Sequence, residues 1–263
     1  MVTRILSIVF FIVALFLGYY LFNSIKSRLD DQKRIDRVEK NVIEKLKLIR
    51  DTEIAFQLVH GKYTSNWDSL INFLDKGIIF IVNRREEIIP KEYGDEEIII
   101  HVDTVGTVPA KQYVITSLNL VNAPDSGAIV SMNVKEGDDV TIGFQLFSIQ
   151  TIEKLLKYKS IYNGKVTKVY YKPGNKVRKG NTLLEILYNK YPPNLDITRL
   201  PYIPGTDNKF EIYANKINKN GVMVDVFEVK DSDPINPLRR ANNNEKALRV
   251  GSKEEVSTSG NWE

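Results

Sequence analysis

Cysteine is absent from this chain of 263 residues, and histidine occurs only twice, at His60 and His101. Without cysteine the chain cannot form a disulfide, a thiolate nucleophile or a cysteine-bound zinc site. The two histidines have no HxH or HExxH spacing, which argues against a zinc enzyme or a Ser/His/Asp hydrolase. Glycine-rich phosphate loops are missing as well. The sequence therefore predicts no catalytic residues, no metal site and no bound cofactor, and it predicts that the protein is not an enzyme.

A strong excess of one charge is also lacking. The chain has 37 Lys and Arg residues against 33 Asp and Glu residues, a formal net charge of +4 at pH 7. Basic and acidic residues are interleaved along most of the chain, so there is no basic patch of the kind that displaces counterions from phosphates. We therefore do not expect nucleic acid as a partner.

Charge is missing altogether from one stretch near the N-terminus. Residues 5–22 read ILSIVFFIVALFLGYYLF, which is 18 residues without a charged side chain. A helix of this length spans about 27 Å, close to the hydrocarbon thickness of a bilayer. The sequence predicts a transmembrane anchor over residues 1–24, with a cleaved signal peptide as the alternative. We expect a single-pass protein of a bacterial inner membrane.

Two arguments about membrane orientation disagree. Several basic residues follow the apolar run, and by the positive-inside rule they favour a cytoplasmic soluble region. These residues are Lys26, Arg28, Lys33, Arg34 and Arg37. The architecture predicted below is typical of extracytoplasmic proteins, and on that analogy we expect the soluble region to lie in the periplasm.

Apolar residues recur at helical spacing between residues 30 and 60. They follow one another at steps of three and four residues: Ile35, Val38, Val42, Leu46 and Ile49. Neither Gly nor Pro occurs from residue 25 to residue 59, so a long amphipathic helix should continue the first one until Gly61 ends it. A short helix should follow over residues 67–76, and both helices belong to the predicted region 25–77.

The segment after the long helix reads GKYTSNWDSL, at residues 61–70. It is similar to the G-x-Y-P turn that follows the N-terminal helix of secretion pseudopilins, and the helix itself resembles that of pilins. The resemblance implies a pilin-like subunit of a secretion filament as one alternative. The chain lacks the prepilin peptidase site and the acidic residue near the start of the apolar helix, so a simple anchor is the preferred interpretation.

An internal repeat occupies the middle of the chain. Residues 127–149 and 164–186 carry glycines at intervals of ten and six residues, at a constant offset of 37. The six glycines are Gly127, Gly137 and Gly143 in the first unit and Gly164, Gly174 and Gly180 in the second. We expect them at turns, where positive φ is needed. Two such units of short strands can close one flattened barrel around a shared core.

The repeat resembles the biotinyl/lipoyl domain, a barrel-sandwich hybrid, over residues 123–190. Both halves show the pattern G-x-V-x-x-V-x-V-x-x-G-x-x-V-x-x-G in recognisable form. In carrier proteins of this family, the hairpin between the halves presents a lysine that receives biotin or a lipoyl group. The family spacing counted back from Gly164 gives Glu153, and Lys154 lies one position away. The resemblance thus implies an unmodified barrel, with a carrier modified at Lys154 as the alternative.

The same domain occurs unmodified in periplasmic adaptor (membrane fusion) proteins, which are also single-pass. Many of them insert a long helical hairpin between the two halves. Here only ten residues separate Ile149 and Ser160, so that hairpin is missing. An efflux adaptor is therefore an alternative function and not the expected one.

The C-terminal third contains a second β pattern. Residues 209–217 and 222–230 alternate apolar and polar side chains around an Asn-Gly turn, which predicts a β-hairpin. We expect a small β domain of residues 78–122 and 200–230, with the barrel of residues 123–190 inserted in it. Residues 231–263 are predicted to form an extended polar tail. Its final residues, RVGSKEEVSTSGNWE, resemble the tail of uncharacterised membrane-anchored proteins of the Bacteroidetes group, and that resemblance implies no activity.

The expected fold class is α+β, with a transmembrane helix continuing into a long amphipathic helix before a mostly β region that contains the barrel. The expected function is a non-catalytic, membrane-anchored scaffold or assembly component of a bacterial cell-envelope complex of secretion or transport type. The expected partners are the membrane and other proteins of that complex. A homo-oligomer formed through the long helix is a further expected assembly.

Overall fold

The computed structural model describes residues 2–90, 96–240 and 246–263, and the side chains of residues 2–10, 12–14, 90, 96 and 97 lie outside that description. The chain divides into two compact units. The first unit comprises Met1–Ile54, Lys62–Trp67 and Thr198–Glu263, and the second comprises Ala55–Gly61 and Asp68–Ile197.

A single helix, α1, runs from Val2 to His60. The stripe of apolar residues expected from the sequence faces inward, since Val42, Leu46 and Ile49 are buried. The helix ends where Gly61 adopts a φ of 71° and donates a hydrogen bond from its backbone N–H to the carbonyl of Gln57, at 2.8 Å. A glycine with positive φ after the last turn is a common way to end a helix.

The predicted membrane anchor requires a correction. Within the part of the chain that the structure describes, no helix combines the length and the apolar character needed to cross a membrane. The side chains of residues 1–10 and 12–14, which belong to the predicted anchor, are outside that part. The finding contradicts both the transmembrane portion of the expected fold class and the expected localisation as a single-pass inner-membrane protein with a periplasmic region.

A short helix, α2 (Trp67–Lys76), leads into a two-stranded antiparallel ribbon of β1 (Ile78–Pro90) and β2 (Glu96–Pro109). Helix α2 buries one face through Leu70, Phe73 and Leu74. At about 3.3 Å per residue the ribbon is about 40 Å long. A third helix, α3 (Ala110–Ile115), closes its base, because the Ala110 N–H donates to the Gly77 carbonyl at 2.8 Å.

Eight strands form the barrel. They are β3 (Thr116–Asn122), β4 (Gly127–Met132), β5 (Asp139–Val140), β6 (Gln145–Gln150), β7 (Leu155–Lys159), β8 (Gly164–Val169), β9 (Lys176–Val177) and β10 (Thr182–Asn189). They make two four-stranded sheets, in the orders β3-β10-β8-β5 and β7-β6-β4-β9. Each sheet therefore contains strands from both copies of the repeat, and the buried side chains of both copies form one apolar cluster.

The barrel begins earlier than the sequence predicts. Strand β3, which was expected in the small β domain, pairs along β10 from Asn122↔Thr182 to Thr116↔Asn189. This pairing is the counterpart of Gln145↔Lys159 between β6 and β7, displaced by the repeat offset of 37 residues. The repeat thus extends over residues 116–189, because each half needs a flanking strand to complete the sheet of the other half.

The remaining strands of the expected small β domain belong to separate sheets. In the first unit, β11 (Glu211–Lys219), β12 (Val222–Lys230) and β13 (Arg249–Gly251) form a three-stranded antiparallel sheet, whereas β1 and β2 form a sheet of their own. Strand β13 lies in the segment predicted to be an extended polar tail. Leu248 and Val250 are buried there, and these two apolar residues fix that part of the tail against β12.

Candidate functional site

The two halves of the barrel are held together by reciprocal backbone hydrogen bonds. The Gly137 N–H donates to the Val166 carbonyl at 2.8 Å, and the Gly174 N–H donates to the Ile129 carbonyl at 2.7 Å. These two bonds are related by the offset of 37 residues, and each one joins one half to the other. The turn at each of these glycines therefore forms a hydrogen bond with the other half. Neither half alone can make all of its backbone hydrogen bonds.

The six predicted glycines fall into two structural classes. Gly137, Gly143, Gly174 and Gly180 have φ values of 92°, 87°, 90° and 88°, in turns that L side chains rarely adopt. Gly127 and Gly164 are needed for a different reason, which is that the backbone of the paired strand leaves no space for a Cβ atom. A Cβ atom on Gly127 would lie 2.3 Å from the Gln150 carbonyl oxygen, and one on Gly164 would lie 2.4 Å from that of Leu187.

The hairpin between the halves is a tight four-residue loop from Thr151 to Lys154. The Thr151 N–H donates to the Lys154 carbonyl at 2.9 Å, and the Lys154 N–H donates to the Thr151 hydroxyl oxygen at 3.0 Å. The tip consists of Ile152 and Glu153, and Ile152 is fully exposed. A carboxylate thus occupies the tip, while Lys154 lies at the last loop position before β7.

We expect Lys154 to carry no biotin or lipoyl group, because the backbone contacts of Thr151 hold it one residue past the tip, where its side chain leaves on a different face. Intact-mass measurement of the protein purified from its native host checks this. The expected mass is that of the unmodified 30.1 kDa chain. A biotinyl or lipoyl adduct that disappears in a Lys154→Arg variant would contradict the expectation and make the protein a carrier.

The β1–β2 ribbon has two faces of different character. Directly paired residues point to the same side and successive residues alternate, so the register assigns each side chain to a face. One face, which we call the apolar ribbon face, carries seven large apolar side chains that are each 47–58% exposed. They are Ile78, Phe80, Val82, Ile88, Ile98, Ile100 and Val102.

The opposite face of the ribbon carries two charged pairs together with three exposed isoleucines, Ile81, Ile89 and Ile99. The Arg85 guanidinium lies 3.1 Å from the Asp103 carboxylate, and the His101 Nε2 lies 2.8 Å from the Glu87 carboxylate. The ribbon is thus amphipathic. The apolar ribbon face was not predicted from the sequence, because a bulge at Val105 changes the alternation in β2 and the face is defined only by the pairing register.

Three described acidic residues of the first unit are buried, namely Glu53, Glu228 and Asp231, and Glu53 is the most completely buried of them. Glu53 of α1 is fully buried, and its Oε2 accepts a hydrogen bond from the Thr64 N–H at 3.1 Å. Its Oε1 has no hydrogen-bond partner among the described residues. Burial raises the pKa of Glu53 from its ordinary value of 4.5 to about 8. Glu53 stands four residues after Ile49, so it continues the apolar stripe of the helix, and that spacing was a usable signal.

A cavity of about 550 Å³ in the first unit is lined by several basic residues. Two of them are already neutralised, since Arg239 pairs with Glu39 at 2.7 Å and Arg249 pairs with Glu228 at 2.6 Å. Among the described residues, no group of three or more His, Cys, Asp or Glu side chains is placed to hold a metal ion. The two histidines make local contacts, with His60 stacked on Phe56 at 4.0 Å and His101 beside Glu87.

The chain was compared with family models, curated proteins and solved structures. No family model matches the chain, and no curated protein matches it. A solved structure of a single-chain, multi-domain long-chain acyl-CoA carboxylase matches with 22% identity and a TM-score of 0.26. The match covers 28% of this chain and 7% of the carboxylase. The comparisons give no support to the adaptor, pilin or Bacteroidetes resemblances, and the carboxylase is no basis for assigning an activity.

Proposed function

We propose that this protein is a non-catalytic assembly component of a protein complex and that it binds partner protein through the apolar ribbon face. The observation that carries the proposal is the contrast between the two faces of the ribbon. Among the described side chains, one face carries seven large apolar side chains that are about half exposed and one ion pair, whereas the other carries three exposed isoleucines and two charged pairs.

The energetics of the ribbon favour a bound partner. A half-exposed large apolar side chain presents about 100 Å² to water, so the apolar ribbon face presents about 700 Å² in total. Contiguous apolar patches of more than a few hundred Å² on soluble proteins usually mark interaction sites. An isolated two-stranded ribbon is also only marginally stable in water. Covering the face would therefore stabilise the ribbon as well as the complex.

The base of the ribbon is fixed in the second unit. Ile79, Ala110 and Val114 are buried there, and the Ala110–Gly77 hydrogen bond joins the two ends of the ribbon. Beyond this base the described large apolar side chains are at least one-third exposed, from Phe80 onward. A ribbon that is fixed at its base and exposed along its length can contact another protein. The interlocked barrel supports it as a rigid, unmodified β module.

The proposal is tested by the size of the native complex. In the double variant Ile88→Ser/Ile98→Ser, which changes a directly opposed pair on the apolar ribbon face, we expect the complex seen by blue native electrophoresis to fall about tenfold in abundance. The matched control Arg85→Ser/Asp103→Ser removes an ion pair from the opposite face. The complex should persist in this control. Equal loss in both variants, or in neither, would contradict the proposal.

A further inference from the structure

The apolar ribbon face has a charge pattern that identifies its occupant. We infer that the occupant is a second copy of this chain, packed face to face and antiparallel about a twofold axis that lies between Arg84 and Glu86. This inference rests on the proposed function, because it names the partner of the same surface.

The area of the face fits a dimer of this kind. A stable interface of standard size buries about 800 Å² on each partner. The seven apolar side chains supply about 700 Å² by themselves. The twofold axis places five of these side chains opposite described residues of the other copy, and Arg84 and Glu86 add their own area at the centre, so the interface approaches the area that a specific complex requires.

The charges at the centre of the face are self-complementary. Among the described side chains of this face, the charged ones are Arg84 and Glu86, which lie 3.3 Å apart as an ion pair. In a twofold interface, residue i of one copy contacts residue j of the other, and j contacts i. An axis midway between these two residues places each Arg84 against the Glu86 of the other copy. The described charges of this face sum to zero, so they do not favour a strongly acidic or strongly basic partner.

Four of the seven apolar residues follow the same axis, and a fifth, Ile98, lies opposite Thr104. Val82 and Ile88 stand at equal distances from it along β1, three residues on either side of position 85. On β2, Val102 and Ile100 stand on either side of position 101, which pairs with position 85. An axis perpendicular to the strands keeps β1 over β1 and β2 over β2. It therefore packs Val82 against Ile88 and Val102 against Ile100, in both directions.

A charge-swap experiment on the full chain tests this arrangement. In a dimer of Arg84→Glu, the glutamate at position 84 of each copy faces Glu86 of the other copy. In a dimer of Glu86→Arg, the arginine at position 86 of each copy faces Arg84 of the other copy. Each variant should self-associate at least about tenfold more weakly than the wild type in sedimentation experiments, since opposed like charges destabilise an interface. An equimolar mixture of the two variants should form a heterodimer at close to wild-type strength, because every contact is then between opposite charges.

Arg85→Glu is the matched control, since it reverses a charge in the same strand but on the opposite face. It should self-associate like the wild type. Wild-type self-association with no heterodimer in the mixture would overturn the proposed axis. A monomeric purified wild type would overturn the inference as a whole. If the native complex still depended on Ile88 and Ile98 in that case, the proposed function would stand with a different partner.

Cross-linking supplies a readout that does not depend on charge. The chain has no cysteine, so a single introduced cysteine is unique. Packed sheets lie about 10 Å apart, which is too far for a direct disulfide, so a short bismaleimide that spans about 8 Å is the cross-linker. A mixture of Val102→Cys and Ile100→Cys should give cross-linked dimers with it, at a higher yield than either variant alone. Equal yields from the mixture and the separate variants would contradict the antiparallel register.

Discussion

Replacing Glu53 with glutamine is expected to remove most of the pH dependence that the stability of the wild-type chain shows between about pH 5 and pH 9. The pKa of Glu53 is about 8 in the folded protein, against an ordinary value of 4.5, because burial disfavours the charged carboxylate. Between these two values the folded state holds a proton that the unfolded state releases. The free energy of unfolding therefore falls as the pH rises through this range, by up to about 5 kcal/mol at 1.36 kcal/mol per pH unit.

The expected measurement is urea unfolding of the wild type and Glu53→Gln at pH 5, 7 and 9. Both tryptophans of the chain, Trp67 and Trp262, belong to the first unit, so their fluorescence reports on the unit that contains Glu53. The glutamine variant should be close to the wild type at pH 5 and more stable than it at pH 9. Glutamine keeps an acceptor for the Thr64 N–H, which separates the loss of charge from the loss of that hydrogen bond.

Glu44→Gln is the control for this prediction, because Glu44 lies on the same helix but is exposed. Its substitution should leave the pH dependence of the wild type unchanged. If Glu53→Gln retained the full decline of stability from pH 5 to pH 9, another group would have to cause it, and the assignment of the proton to Glu53 would be wrong.

The helices and the glycine turns were accessible from the sequence because they depend on local chemistry. The stripe from Ile35 to Ile49 needs only helical periodicity, and the glycine intervals need only the requirement for positive φ at turns. The helical period also runs through Glu53. A charged residue at this position is not predicted to be buried from the sequence, since its burial depends on whether distant parts of the chain cover it.

The strands were harder to assign because their partners are far away in sequence. Residues 116–122 form the barrel strand β3 only by pairing with residues 182–189 of the other half. The apolar ribbon face needs the register of β1 with β2, and the bulge at Val105 breaks the simple alternation. The hairpin between the halves is local, and the family spacing counted back from Gly164 predicted that Glu153 lies in it. The structure adds that the loop has four residues, with Glu153 at its tip.

Gly164→Ala is expected to destabilise the barrel by about 3 kcal/mol, since overpacking against backbone typically costs 1–3 kcal/mol or more. The new Cβ would lie 2.4 Å from the Leu187 carbonyl oxygen and 2.8 Å from the Ile186 Cγ2. Both contacts belong to β10, which pairs with β8 through Tyr188↔Gly164. The two strands have to separate to admit the methyl group, and the pairing between them is then lost.

The repeat makes this prediction stricter, because Gly127 meets Gln150 and Ile149 in the same way, at 2.3 and 2.7 Å. Gly127→Ala and Gly164→Ala should therefore lose similar amounts of stability. Hydrogen exchange of peptides from residues 116–189, followed by mass spectrometry, measures the loss within the barrel.

Gly174→Val should lose about 1–3 kcal/mol of stability for a different reason. There is open space around Gly174, but its φ of 90° strains a β-branched residue. Lys165→Ala, an exposed neighbour in β8, is the control and should change little. A large loss at only one of Gly127 and Gly164 would contradict the equivalence of the two halves on which the barrel assignment depends.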